Sequence, residues 1–160
     1  MQKYSDQYWM SAALKLANKA AVKNEVPVGC IIVKENKIVA KAYNLREHLQ
    51  SPLAHAETLA IHRAAKKLNS WRLEGCSLYV TLEPCLMCSG VILQARISRL
   101  IYGAKDEKAG ATDSLFKVLS DPRLNHQVQI TSGVFSEECS KVIKNFFKQL
   151  RKNKSKNFES

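Results

Sequence analysis

Alternating strand-like and helix-like stretches predict an α/β protein with a central mixed sheet of five strands flanked by helices. Two observations carry that expectation. Met10, Ala13, Leu14, Ala17 and Ala21 recur at helical spacing, whereas Val28 to Val33 forms a near-continuous apolar run. The apolar period then switches back and forth between the two patterns along the rest of the chain.

The first helix is expected from about Asp6 to Lys23 and the first strand from Val28 to Val33. Glu35-Asn36 turns the chain into a second strand, Lys37 to Tyr43, which makes an antiparallel hairpin. A helix from His55 to about Leu68 follows, then a strand at Ser77 to Thr81, a helix at Cys85 to Ala95 and a strand at Arg99 to Gly103. The strands after the hairpin are expected to be parallel, because helices cross between them. A short helix around Leu115 to Leu119 leads to a strand at Val128 to Ile130. Ser136 with Glu137 and Glu138 starts the last helix. Its Cys139, Val142, Ile143, Phe146, Phe147 and Leu150 share one stripe, most of which is expected in the core.

No repeat or linker divides the chain, so residues 1–151 are expected to form one domain, followed by a basic tail at 152–160. At 160 residues and 46% hydrophobic content the chain can bury a substantial core. No apolar run approaches the roughly 20 residues of a membrane span, and the segment from Met1 to Asp6 has no apolar leader pattern. Five cysteines, an odd count, fit a reducing cytoplasm better than a disulfide framework. Cys30, Cys76 and Cys139 are expected as core thiols.

Net charge is +11, and seven of the 25 basic residues lie between Lys141 and Lys156, a stretch without an acid. Such a surface suits a polyanion, because lysine and arginine neutralise phosphates and release counterions. A solvated tail that keeps the protein soluble is the plainer account.

The most informative residues are His55-Ala56-Glu57 and, further on, Pro84-Cys85-Leu86-Met87-Cys88. They supply three metal ligands, His55, Cys85 and Cys88, and one carboxylate, Glu57, left free. A structural zinc site closes its shell with four side chains, whereas a hydrolytic site keeps three and leaves the fourth position open. Cys-x-x-Cys at a helix start puts both sulfurs near the positive end of the helix dipole, where thiolates form readily. Pro84 suits the first turn of such a helix, since the N–H it lacks would be unpaired there. Taken singly, Cys-x-x-Cys also fits a redox pair and His-Ala-Glu fits any polar helix start; the pairing carries the zinc reading.

The combination H-x-E with P-C-x-x-C is the signature of zinc nucleobase deaminases. The chain resembles cytidine-deaminase-fold enzymes and, more closely, the bacterial tRNA-specific adenosine deaminases. Besides the metal motif, the resemblance rests on Glu25-Val26-Pro27-Val28-Gly29, Tyr43-Asn44, Leu78-Tyr79-Val80-Thr81-Leu82-Glu83, Tyr102-Gly103-Ala104-Lys105-Asp106, Leu124-Asn125-His126 and Phe146-Phe147. It implies a three-layer fold, one Zn²⁺ per chain, a homodimer, and hydrolysis of adenosine to inosine at the wobble position of a tRNA anticodon. Glu57 would move protons between water, ring N1 and the departing ammonia. By the same resemblance Asn44 would hydrogen-bond the base, Val28 and Ala54 would line its pocket, and Asp106, Lys108, Phe147 and Arg151 would face neighbouring nucleotides.

Plainer roles exist for some of these: Asn44 as a turn former, Val28 and Phe147 as packing residues. Lys148, Arg151 and Lys152 are further candidates for phosphate contact. His48 and His62 are without expected ligand partners, and His126 is at most an RNA contact. Glu107 and Asp113 depart from the resemblance by placing acids in the loop from Asp106 to Ser114. Two other classes compete with the tRNA enzyme: a deaminase of a free base, nucleoside or nucleotide of the cytidine or guanine type, and a noncatalytic zinc-bearing RNA-binding module. Glu57 argues against the module, and the basic last helix argues against the small-molecule enzyme.

Overall fold

A first helix, α1 (Asp6–Val22), leads into the hairpin β1 (Gly29–Lys34) and β2 (Lys37–Tyr43). The computed structural model describes residues 3–158. Met1 and Gln2, from the polar start of the chain, and Glu159 and Ser160, from the end of the expected tail, lie outside the described residues. One turn of helix, α2 (Arg46–Leu49), precedes α3 (Ala56–Leu68), followed by β3 (Ser77–Leu82), α4 (Leu86–Gln94), β4 (Arg99–Ala104), β5 (Gln129–Thr131) and α5 (Ser136–Phe158).

The sheet order is β2-β1-β3-β4-β5. β1 is antiparallel to both β2 and β3, while β3–β4 and β4–β5 are parallel. Glu35 and Asn36 both take positive φ, 49° and 59°, the backbone a tight two-residue hairpin requires. Alternation along the strands serves two covered faces. Ile31, Val33, Tyr79 and Ile101 pack with Trp9, Met10, Ala13 and Leu16 of α1 and with Cys139 of α5. Cys30, Ile32, Leu78, Val80, Leu100 and Tyr102 pack with Ala56, Ala60 and Ala64 of α3 and Ile92 of α4. Three layers result, with the sheet in the middle. Gly29 permits the close approach of α1, since a Cβ there would fall 2.0 Å from the Ala13 carbonyl oxygen.

Ser5 caps α1 by accepting the Tyr8 N–H at 3.1 Å. At the next residue, Asp6 binds Arg99 through two bonds, 3.0 and 2.7 Å, and accepts the Tyr79 hydroxyl at 2.9 Å, which fastens α1 to β3 and β4. Asp6→Ala strands a partly buried guanidinium and a phenol. We expect it to lower stability by about 1–3 kcal/mol in urea unfolding followed by fluorescence of the buried Trp9. An unchanged unfolding midpoint would remove that fastening from the account of stability.

Three local expectations change. Residues 115–119 form no α-helix; a 3₁₀ turn covers Val118–Ser120. The Leu115 and Phe116 N–H groups bond to the Gly110 carbonyl, and the Val118 N–H to that of Ala111, so none enters a helical ladder. Pro84 stands before the capping residue Cys85, outside the first turn of α4. The stripe on α5 is mostly not core. Cys139 is buried against β4, Val142, Ile143 and Phe146 are half-buried, and Phe147 and Leu150 are exposed, because the helix runs past the sheet after its first turns. Cys30, Cys76 and Cys139 are buried free thiols.

Candidate active site

His55 is the capping residue of α3, and Cys85 is the capping residue of α4. Both have extended backbone, with ψ of 155° and 178°, and neither side chain caps its own helix. The imidazole and the thiol are therefore free to converge, and Cys88, one turn into α4, joins them. His55 Nδ1 lies 3.6 Å from Cys85 Sγ and 3.5 Å from Cys88 Sγ. A tetrahedral shell with Zn–S near 2.3 Å and Zn–N near 2.0 Å puts sulfur and nitrogen about 3.6 Å apart. The three donor atoms lie within 4.8 Å of one another, and both nitrogen–sulfur distances match such a shell.

Electrostatics follow from this crowding. Cys85 is pulled down to about 4 by the Cys88 thiol bonded to it, against burial and with help from His55. Cys88 moves the opposite way, held protonated by its bond to Cys85 and by burial. The bond to Cys85 raises His55. Glu57, at the second residue of α3, is 4% exposed; burial raises its carboxyl, and Oε2 accepts a bond from Cys88 Sγ at 3.3 Å.

These residues open onto a cleft of about 220 Å³ whose lining includes Val28, Asn44, Arg46, His55, Glu57 and Asp106. Ala54 is buried beside His55 but does not line it. Asn44, 7% exposed, donates to the Val26 carbonyl at 3.2 Å and accepts the Arg46 N–H at 3.0 Å. It is thus a turn former and a cleft residue together, with a second amide hydrogen and a second lone pair left for a ligand.

Two buried carboxylates outside the expected set hold the cleft walls. Glu25 takes the N–H groups of Glu47 and His48, each at 2.9 Å, and His48 Nδ1 at 2.9 Å, so it caps α2 from across the fold. Burial pulls its carboxyl up, and those bonds outweigh the burial to leave it below the usual range. Glu83 accepts the N–H groups of Asp106, Thr112, Asp113 and Ser114 at 3.0–3.2 Å and the Ser114 hydroxyl at 2.5 Å. Residues 106–114 are wrapped around that one side chain. Both acids stand in segments that carry the family resemblance, Glu25 before β1 and Glu83 after β3, and an acid beside an apolar strand is the signal that marks them. Arg46, another cleft residue, had none.

A second cleft, of about 630 Å³, continues from the first along α5 and is lined in part by Asp106, Lys108, Phe147 and Arg151. The structure therefore gathers four separately placed residues on one surface. Asp106 also accepts the Lys108 and Ala109 N–H groups, which shapes its own turn. Lys148 and Lys152 are exposed and line neither cleft. Of the two departing acids, Asp113 turns inward to accept the Tyr102 hydroxyl, whereas Glu107 stays exposed. His126 bonds to the Ile97 carbonyl at 2.6 Å, a structural partner, and His62 is exposed.

A three-layer fold whose two helix starts present a His-Cys-Cys donor set with an adjoining buried glutamate defines a deaminase. Residues 4–151 match the MafB19-like deaminase family, and the chain belongs to it. Within that family it falls among the tRNA-specific adenosine deaminases. It is 47% identical over 149 residues to the one from Bacillus subtilis (strain 168), covering 93% of this chain and 92% of that protein. It is 49% identical over 147 residues to that of Aquifex aeolicus (strain VF5), covering 92% and 97%. A solved structure from a study of A-to-I editing by tRNA:A34 deaminases at the wobble position superimposes with a TM-score of 0.82, at 39% identity, over 84% of this chain and 98% of that one. The guanine deaminase of Nitrosomonas europaea shares the fold, with a TM-score of 0.77 at 18% identity over 91% of this chain and 86% of that one.

Proposed function

We propose that this protein hydrolyses the wobble adenosine of a tRNA anticodon to inosine, using one zinc ion held by His55, Cys85 and Cys88. The observation that carries the hydrolytic part is Glu57: a buried carboxylate beside three metal donors, lining a cleft, with no ion pair among the described residues. Zinc on those donors supplies the polarisation that makes water acidic near neutral pH. Glu57 takes one proton from the attacking water and delivers it to N1 of the ring, then takes the second from the hydroxyl now on C6 and passes it to the leaving amine as the C6 carbonyl forms. A carboxyl raised by burial suits both directions of transfer.

Asn44 offers its spare donor and acceptor to the base edge, and Val28 supplies an apolar wall. A cleft of about 220 Å³ takes one base, so the nucleotide leaves its stack, which costs least in a single-stranded loop. The second cleft then takes neighbouring nucleotides, with Phe147 as a stacking surface and Lys108 and Arg151 for phosphate. A homodimer and a cytoplasmic location belong to the same reading, the first supported by the family resemblance and the second by five unpaired thiols. Among the described residues no helix is long and apolar enough to cross a membrane.

The test compares an anticodon stem-loop, free adenosine and free cytidine as substrates of the zinc-loaded protein. Binding energy from remote nucleotides positions the reacting base, so kcat/KM for the stem-loop is expected to exceed that for free adenosine by about 10²-fold or more. Equal values would reject the tRNA reading in favour of a small-molecule deaminase.

A further inference from the structure

The two clefts do not end the concave surface. A third, of about 710 Å³, opens at the start of α5 and shares Ala104, Lys105, Ser140 and Lys144 with the second, which in turn shares Val26, Leu82, Asp106 and Ala109 with the first. One trough thus runs from the metal donors to the start of the last helix. Its chemistry changes along the way. The first part is narrow and holds Glu57, the middle carries Phe147 and Ile143, and the far part is lined by Lys105, Lys141 and Lys144 with Ser132, Ser136 and Ser140.

We propose that the far part is a second RNA subsite, which grips the phosphodiester backbone of nucleotides beyond those that flank the reacting base. The proposal rests on the tRNA reading and extends it. Three ammonium groups and three hydroxyls are the donors that hold phosphate oxygens. Among the described residues none of the three lysines forms an ion pair, so their charge is available to a ligand. Glu137 is the acid in that lining, and Glu138 stands beside it in the first turn of α5, so three lysines outnumber the two acids at this end of the trough. A free nucleoside would not reach this far. A strand whose base sits over Glu57 would, because the trough is continuous.

The experiment compares two variants with equal loss of charge. One is Lys105→Gln/Lys141→Gln/Lys144→Gln. The other is Lys15→Gln/Lys37→Gln/Lys67→Gln, three exposed lysines that line none of the three clefts. Binding of an anticodon stem-loop is measured by fluorescence anisotropy across a salt series, with matching urea midpoints as the check on folding. Single-stranded contacts contribute about 0.7 to the log–log salt slope each. The trough variant is expected to lose about two units of slope and to bind at least about 10-fold more weakly at low salt, while the control keeps most of its slope. Equal slopes for the two variants would overturn the subsite, since net charge alone would then explain binding. A wild type that binds the stem-loop with salt dependence, together with an unchanged trough variant, also overturns it while leaving the function standing. A wild type without salt-dependent stem-loop binding overturns both.

Discussion

Glu57→Gln is expected to keep its zinc and lose about 10²- to 10⁴-fold in kcat on the stem-loop. Glutamine has the shape of the native side chain and can still accept the bond from Cys88 Sγ, which lies 3.3 Å from Oε2. What it lacks is a site for the proton taken from water. The fold is not expected to suffer, because the substitution leaves no cavity in a side chain only 4% exposed. Metal analysis beside single-turnover kinetics separates the possibilities. Retained activity would take Glu57 out of proton transfer, and a metal-free variant would make it a ligand.

The largest effect on stability is expected at Glu83, whose carboxylate receives four N–H groups and one hydroxyl from residues 106–114. Glu83→Ala leaves those donors without their acceptor in a place that is 2% exposed. Each unsatisfied buried donor costs about 1–3 kcal/mol; water entering the hole recovers part, so the expected loss is about 3–5 kcal/mol, read by urea unfolding at neutral pH. Gly110 shows how closely the loop is wrapped, because a Cβ there would lie 2.3 Å from the Glu83 carboxylate. Burial pulls the Glu83 carboxyl up, but the Asp113 N–H and the Ser114 hydroxyl and N–H bonds bring it below the usual carboxylate range. The unfolded chain therefore takes up the proton first. The contribution is full above the ordinary glutamate pKa of about 4.3 and fades as the pH falls through the lower folded value. The gap between wild type and variant should accordingly narrow in acid. An unfolding midpoint shared by both proteins at neutral pH would show that the loop does not depend on this carboxylate.

Much of the candidate site was legible because its geometry is local. His55 and Glu57 share one helix start, and Cys85 and Cys88 share another, so each pair is close in sequence and fixed by one local turn. Joining the pairs needed the layered topology, which the apolar periods indicated. The walls were not legible in the same way. Glu25 reaches Glu47 and His48 from more than twenty residues away, and no period or motif encodes a contact of that kind. The α5 stripe misled for a related reason. Its apolar spacing is real, but spacing says which residues share a face, not what that face meets, and burial falls along the helix from Cys139 through Val142, Ile143 and Phe146 to exposed Phe147 and Leu150. Residues 115–119 gave a helical pattern that tertiary bonds to Gly110 and Ala111 overrode. Ala54, given to the base pocket by the family resemblance alone, is buried and is not among the residues that line the cleft.

The two walls of the first cleft answer to different anchors: Glu25 fixes the segment that carries Asn44 and Arg46, and Glu83 fixes the segment that carries Asp106. Neither carboxylate is shared. Selection can thus reshape one bank of the cleft while the other, and the three metal donors between them, stay in place. Loops so mounted are interchangeable parts, which gives a physical route by which one scaffold diversifies among nucleobases without rebuilding its chemistry.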